Sequence, residues 1–174
     1  MEQKKKNFSK IYDQHASRVY RFIFLKVSSQ EIAEDLASEV FARAWNSYRE
    51  ESDSEPEIKN LQAYIYQIAR NVVVDHYREK GRNKVVSADE KTNIPDEGLS
   101  MEDKAGIALE LERVKKALEG LQDDYQDYVI WRYLDELSVP EIAEITGKSE
   151  ENVRVGIHRA IQALKERLPG GVIK

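Results

Sequence analysis

The sequence predicts an all-α protein made of two small helical domains, an N-terminal helical bundle (residues 1–84) and a C-terminal helix-turn-helix domain (residues 107–174), joined by a flexible linker (residues 85–106). Three observations predict it. No Gly precedes Gly81 and Pro56 is the only Pro before it, so the first half is rich in helix formers and nearly free of breakers. Apolar residues recur at three- and four-residue spacing in both halves. Between the halves, residues 85–106 lose all periodicity and hold Pro95, Gly98, Gly106 and several acids.

In the first helix, Phe8, Ile11, Tyr12, Val19, Tyr20, Phe22, Ile23 and Val27 form the apolar stripe. The second helix is expected to open on a capping box of Ser28 and Glu31. Its stripe is Ile32, Ala33, Leu36, Ala37, Val40, Phe41, Ala44, Trp45 and Tyr48, and the opposite face carries Glu31, Glu34, Asp35, Ser38 and Glu39. Residues 49–58 break the period with acids, Ser and Pro and read as a loop. A third helix starts near Asn60, turns Leu61, Ile65, Ile68, Ala69, Val72 and Val73 inward, and ends near Gly81 after a basic run. Beyond the linker, Ile107, Leu111, Val114, Leu118 and Leu121 mark one helix, residues 125–134 a second, and two more run to Leu168.

Composition narrows the function classes. Charged residues are 34% and mean hydropathy is -0.65, and the longest apolar runs, Phe22–Leu25 and Tyr128–Trp131, are four residues. Neither a membrane span nor a signal-peptide core fits in four residues, so a cytoplasmic chain with no membrane partner is expected. The absence of Cys removes disulfides, thiolate metal sites and cysteine nucleophiles. His15, His76 and His158 lack metal-ligand spacing, and no Gly-rich phosphate loop or nucleophile motif occurs; no metal, no cofactor and no catalysis are expected.

The net charge of -5 is concentrated: residues 85–110 hold seven acids against two bases. Residues 59–84, in contrast, hold Lys59, Arg70, Arg78, Lys80, Arg82 and Lys84 against Asp75 and Glu79. A polyanion responds to such a local patch rather than to net charge, although a solvated helix face gives the same charge pattern.

The most specific local signal is the run Ser138-Val-Pro-Glu-Ile-Ala-Glu-Ile-Thr-Gly147 followed by Lys-Ser149-Glu-Glu-Asn-Val153. Two helices crossing steeply through a short turn need a small residue where they touch, a Gly in the turn and a branched apolar anchor on the second helix. Ala143, Gly147 and Val153 supply these, with Ser138 and Ser149 as caps and Pro140 in a first turn. A plain αα-corner explains the Gly but not the whole spacing. The second helix then presents Glu150, Glu151, Asn152, Arg154, Val155, His158 and Arg159 on its outer side, where a DNA major groove would lie.

At this point the chain resembles a family. Residues 121–147 and 152–164 resemble the C-terminal domain of bacterial RNA polymerase sigma factors, of the short two-domain extracytoplasmic-function (ECF) type. Independently, Ala33 to Trp45 is similar to that family's core-polymerase-binding helix, and Tyr64 to Arg78 to its promoter-melting helix. The resemblance implies promoter recognition and transcription initiation with core RNA polymerase. It implies that Asp35, Ser38, Glu39 and Phe41 meet the clamp coiled coil of the largest subunit. Tyr64, Tyr66 and Asn71, with Lys59, Arg70, Arg78 and Arg82, would hold the opened minus-ten element, Asn71 taking a flipped base, although a Tyr on a helix is more often core than platform and at least one of the two Tyr is expected to be packed. Ser149, Asn152, Arg154, His158 and Arg159 would meet the minus-thirty-five element. Val155 and Gly156 depart from the polar or basic residues usual in that helix, and Glu150 and Glu151 repel phosphate.

Two other readings stand beside this one. A sigma-like decoy would bind an anti-sigma factor and not DNA, and a free-standing helix-turn-helix repressor would leave the N-terminal motifs without a role.

Overall fold

The structure is a computed structural model that describes residues 1–50, 58, 60–83, 112–113 and 115–167. The chain divides into two compact units, Met1–Glu90 and Lys91–Lys174. The division falls inside the stretch expected to be the linker, which lies outside the described residues, as do Lys59 and most of the predicted loop at 49–58. Every regular element among the described residues is helical.

The first unit is a bundle of three helices, α1 (Glu2–Val27), α2 (Gln30–Arg49) and α3 (Leu61–Asn83). Helix α1 begins earlier than the apolar stripe indicated, because its first turns have a polar anchor. Lys4 Nζ lies over the Tyr48 ring and donates to the Tyr48 carbonyl at 2.9 Å, a cation at the C-terminal end of α2. Phe8 then packs among Phe41, Trp45 and Tyr48, with ring centroids 5.2–6.5 Å away. The end of α1 is buried on all sides from Phe22 to Val27, with Lys26 the one charged residue among five apolar ones.

The link from α1 to α2 corrects the predicted cap. Ser28 adopts the left-handed conformation (φ 61°) and ends α1, its N–H donating to the Phe24 carbonyl. The cap of α2 is Ser29, whose hydroxyl accepts from the Ile32 N–H at 3.3 Å. With the cap moved by one residue, the third helical position is Ile32, so no capping box forms. Asn60 caps α3, its carboxamide oxygen accepting from the Ala63 N–H at 3.1 Å. The helix passes through Gly81 and does not stop there. Val19, Phe22, Ile23, Val40, Ala44, Ile65, Tyr66, Ala69 and Val73 form the core.

In the second unit residues 115–118 are helical, followed by α4 (Asp123–Val129), a wide π-helical turn (Ile130–Leu134), α5 (Val139–Thr146) and α6 (Glu150–Arg167). The Gln126 side-chain amide donates to the Leu118 and Leu121 carbonyls and so ties the preceding turn to α4. The sequence predicted a regular helix over 125–134; the structure widens its end. The Asp135 N–H reaches the Ile130 carbonyl five residues back, and the Leu137 N–H reaches the Trp131 carbonyl. Tyr128 to Trp131, four consecutive residues across the end of α4 and the start of this turn, are all buried.

The turn between α5 and α6 is built as the sequence indicated. Ser138 and Glu141 exchange hydrogen bonds in a capping box, and Pro140 occupies the first turn. Gly147 is left-handed (φ 72°) and closes α5. The Ser149 hydroxyl accepts from the Asn152 N–H at 3.2 Å and starts α6. Ile142, Ile145, Val153, Ala160 and Leu164 lock the two helices onto Trp131 and Leu137, all buried.

Candidate nucleic-acid interface

Helix α6 buries Val153, Ala160 and Leu164 and exposes Glu151, Asn152, Arg154, Val155, His158, Arg159 and Gln162. Among the described residues no side-chain bond engages Asn152, His158 or Arg159. Arg154 lies 3.9 Å from Glu150, an exposed pair that contributes little and leaves the guanidinium accessible. The outer face of α6 therefore offers two guanidiniums, an imidazole and a carboxamide to a polyanion, held at a fixed angle by the capped turn. Ser149 is exposed too, but its hydroxyl oxygen already serves as the helix cap.

Gly156, read from sequence as a weakness of this helix, has a structural cause. A Cβ there would lie 2.5 Å from Tyr128 Cε2 and 2.8 Å from Cζ. The Tyr128 ring is buried and held by Lys148, whose Nζ is 3.5 Å from the hydroxyl and 5.8 Å from the ring centroid. Only a residue without a side chain lets α6 press this closely on α4.

In the first unit Asp35 and Ser38 are exposed on α2 and Glu39 is half-buried, paired with Arg43. Leu36, Glu39 and Arg43 of α2 line a cleft of about 310 Å³ whose other wall is Val72, Asp75, His76, Arg78 and Glu79 of α3. The cleft thus mixes both charges, with Glu39, Asp75 and Glu79 beside Arg43 and Arg78. His76 is held below the ordinary imidazole range by burial and then by Lys80, with Glu79 opposing. Asn71 and Arg78 are exposed, and Arg70 is half-buried.

Residues 11–83 match the Sigma-70 region 2 family, and residues 111–164 match Sigma-70 region 4. The chain is 32% identical over 162 residues to the ECF RNA polymerase sigma factor BldN of Streptomyces coelicolor, covering 93% of this chain and 60% of that one. It is 29% identical over 170 residues to the ECF sigma factor SigW of Bacillus subtilis, covering 92% and 88%. The chain belongs to the ECF sigma factors. Members of this family recognise promoters and initiate transcription with core RNA polymerase. The fold agrees with solved sigma factors. RpoE from Bartonella quintana, in complex with the anti-sigma factor NepR, has a TM-score of 0.67 at 22% identity, over 93% of this chain and 96% of that one. CnrH, in complex with the cytosolic domain of CnrY, has a TM-score of 0.65 at 19% identity, over 93% and 87%.

For this sigma factor two of the residues expected at interfaces are in the core. Phe41 is buried, its ring 4.7 Å from that of Tyr12 and 6.5 Å from that of Phe8, so it does not face a partner. Tyr66 is fully buried near His15 and offers no stacking surface. Tyr64 is half-buried and donates its hydroxyl hydrogen to Ser47 at 3.0 Å, which fixes its ring between α2 and α3. Lys59 lies outside the described residues, and of Arg82 only the helical backbone is described.

An exposed aromatic that the sequence reading did not single out is Tyr77, 42% exposed, with its hydroxyl anchored on the Lys26 carbonyl. It stands seven residues from Arg70, on the same line of α3, and with Asn71, Val74 and Arg78 makes one exposed face. The seven-residue spacing was a usable signal; the exposure was not, because it depends on where α1 ends.

Proposed function

We propose that this sigma factor meets core RNA polymerase and promoter DNA through three surfaces. The polar face of α2, with Asp35, Ser38 and Glu39, meets the clamp coiled coil of the largest subunit. The exposed face of α3 holds the opened minus-ten element, with Asn71 at a base edge and Arg70 and Arg78 on phosphates; Lys59 and Arg82 extend the same basic run. Base extrusion costs a few kcal/mol, and a stacked aromatic returns about 1 to 3 kcal/mol per base, a role for Tyr77 and for the open side of Tyr64. The outer face of α6 enters the major groove of the minus-thirty-five element through Asn152, Arg154, His158 and Arg159, with Ser149 at its start. One bidentate Arg–guanine pair gives about 1 to 3 kcal/mol of discrimination.

The observation that carries this reading is the joint exposure of Arg154, His158 and Arg159 on a helix seated by a capped turn. The polymerase supplies the chemistry and its magnesium, and the site of action is the cytoplasm. Among the described residues no helix is long and apolar enough to cross a membrane. That RpoE was solved with the anti-sigma factor NepR supports an anti-sigma factor as a further partner here.

In vitro transcription with purified core polymerase and a genomic promoter library tests the proposal. Promoter-specific run-off products that require the chain are expected. Core binding without any initiation would replace it with the decoy reading, and neither activity would overturn it.

A further inference from the structure

The outer face of α6 is polar at all but one of its exposed central positions. Val155 is 43% exposed. It lies two residues from the fully buried Val153, about 200° around the helix axis and so directed away from the core. One turn back stand Glu151 and Asn152, and one turn forward His158 and Arg159, all exposed. A single surface Val is ordinary on most helices. This one sits at the centre of the face that carries the cations. Its neighbour Gly156 adds no side chain and is pressed against Tyr128. At mid-helix Val155 is therefore the side chain that projects into whatever this face meets.

Resting on the reading of α6 as a major-groove helix, we propose that Val155 reads a thymine of the upstream promoter element through its C5-methyl group. In the major groove, thymine alone presents a methyl; the remaining base edges present donors and acceptors. An isopropyl group set against a donor or acceptor removes its water and gives nothing back, whereas against a methyl it removes apolar surface from water. A purine-reading Arg or Asn at this position would select guanine or adenine; Val selects the methyl. Burial of one methyl changes affinity about fourfold. Val155 accordingly sets specificity at one base pair, and Arg154 and Arg159 supply most of the affinity.

The test is binding of full-length holoenzyme to a promoter in which each thymine of the upstream element is replaced, one at a time, by deoxyuridine. Uracil keeps the pairing face and the O4 acceptor and loses only the methyl. One position is expected to lose about fourfold in affinity. V155S, which changes an exposed side chain and leaves the core intact, should bind the thymine promoter about fourfold more weakly and be indifferent to uracil at that position. If no thymine is sensitive to uracil, or if the sensitive one stays sensitive in V155S, the inference is overturned. The reading of α6 is judged separately with R154A/R159A. A salt dependence flattened by up to about 0.9 for each phosphate no longer neutralised keeps α6 on DNA even where Val155 fails. An unchanged slope removes the helix from the interface and the inference with it.

Discussion

Gly156 shows how a single residue can be misjudged from sequence and explained by its neighbours in space. Relative to Ala, a Gly in a helix interior costs about 1 kcal/mol. The Tyr128 ring, 2.5 Å from where a Cβ would sit, reverses that balance. Overpacking costs about 1–3 kcal/mol, so G156A is expected to lower the urea midpoint despite its better helix propensity, and far-UV circular dichroism during the titration measures this. A midpoint at or above that of the parent chain would mean that the ring moves aside freely. Phe41 and Tyr66 carry the opposite lesson, since both were legible as core. Phe41 is three residues from Ala44 and seven from Tyr48 on the α2 stripe, and Tyr66 is three from Ala69 and seven from Val73 on α3. Family likeness offered both to a partner or to DNA, while the stripe of α2 already held Phe41 and one of Tyr64 and Tyr66 was expected to pack; both Phe41 and Tyr66 are inside.

At the scale of elements, periodicity and caps located the helices, and the misses have local causes. The capping box at Ser138 was readable because both of its partners lie within four residues. The one-residue shift from Ser28 to Ser29 was not, because either serine can cap and the choice belongs to the left-handed turn that ends α1. The π-helical turn after α4 escaped for a similar reason: its hydrogen bonds answer to the burial of Trp131 and Leu137 and not to any local signal. The cleft between α2 and α3 required knowledge of how two helices align. It brings His76 within one space with Glu39, Arg43, Asp75, Arg78 and Glu79, near Lys80. The native imidazole titrates below its ordinary range, so on acidification the unfolded chain takes up the proton first. This group's contribution is full above about pH 6.5 and is lost as the pH falls through that range toward the lower native value. H76Q should therefore show a shallower fall in urea midpoint between about pH 7.5 and 5.5 than the parent, and parallel profiles would remove His76 from the pH response.

At the scale of the whole molecule, the two-domain plan and the helix-turn-helix were legible because each half carries its own apolar periodicity and its own caps. The exposure of the candidate residues was legible on α6, where it follows from helix geometry alone, and less so on α3, where Tyr77 rather than Tyr66 is the exposed aromatic. Asp35 and Ser38 are exposed and Glu39 is half-buried, so replacing Asp35 and Glu39 by Lys leaves the core untouched and reverses the charge of the face. The D35K/E39K chain should retain its helical circular dichroism and lose core polymerase in a pull-down, by at least about tenfold if two close ion pairs are replaced by repulsion. Undiminished capture would move the polymerase-binding surface off this face.

The wide turn at Ile130–Leu134 has a consequence for lineage and design. It holds one residue more than a regular coil would need, and α5 and α6 both follow it. A one-residue deletion there would tighten it to the regular form, taking up the shortfall inside the turn and leaving α6 seated on Tyr128. Length and direction are thus separable in this protein: a residue can be gained or lost at this spot while the two helices that follow keep their seat.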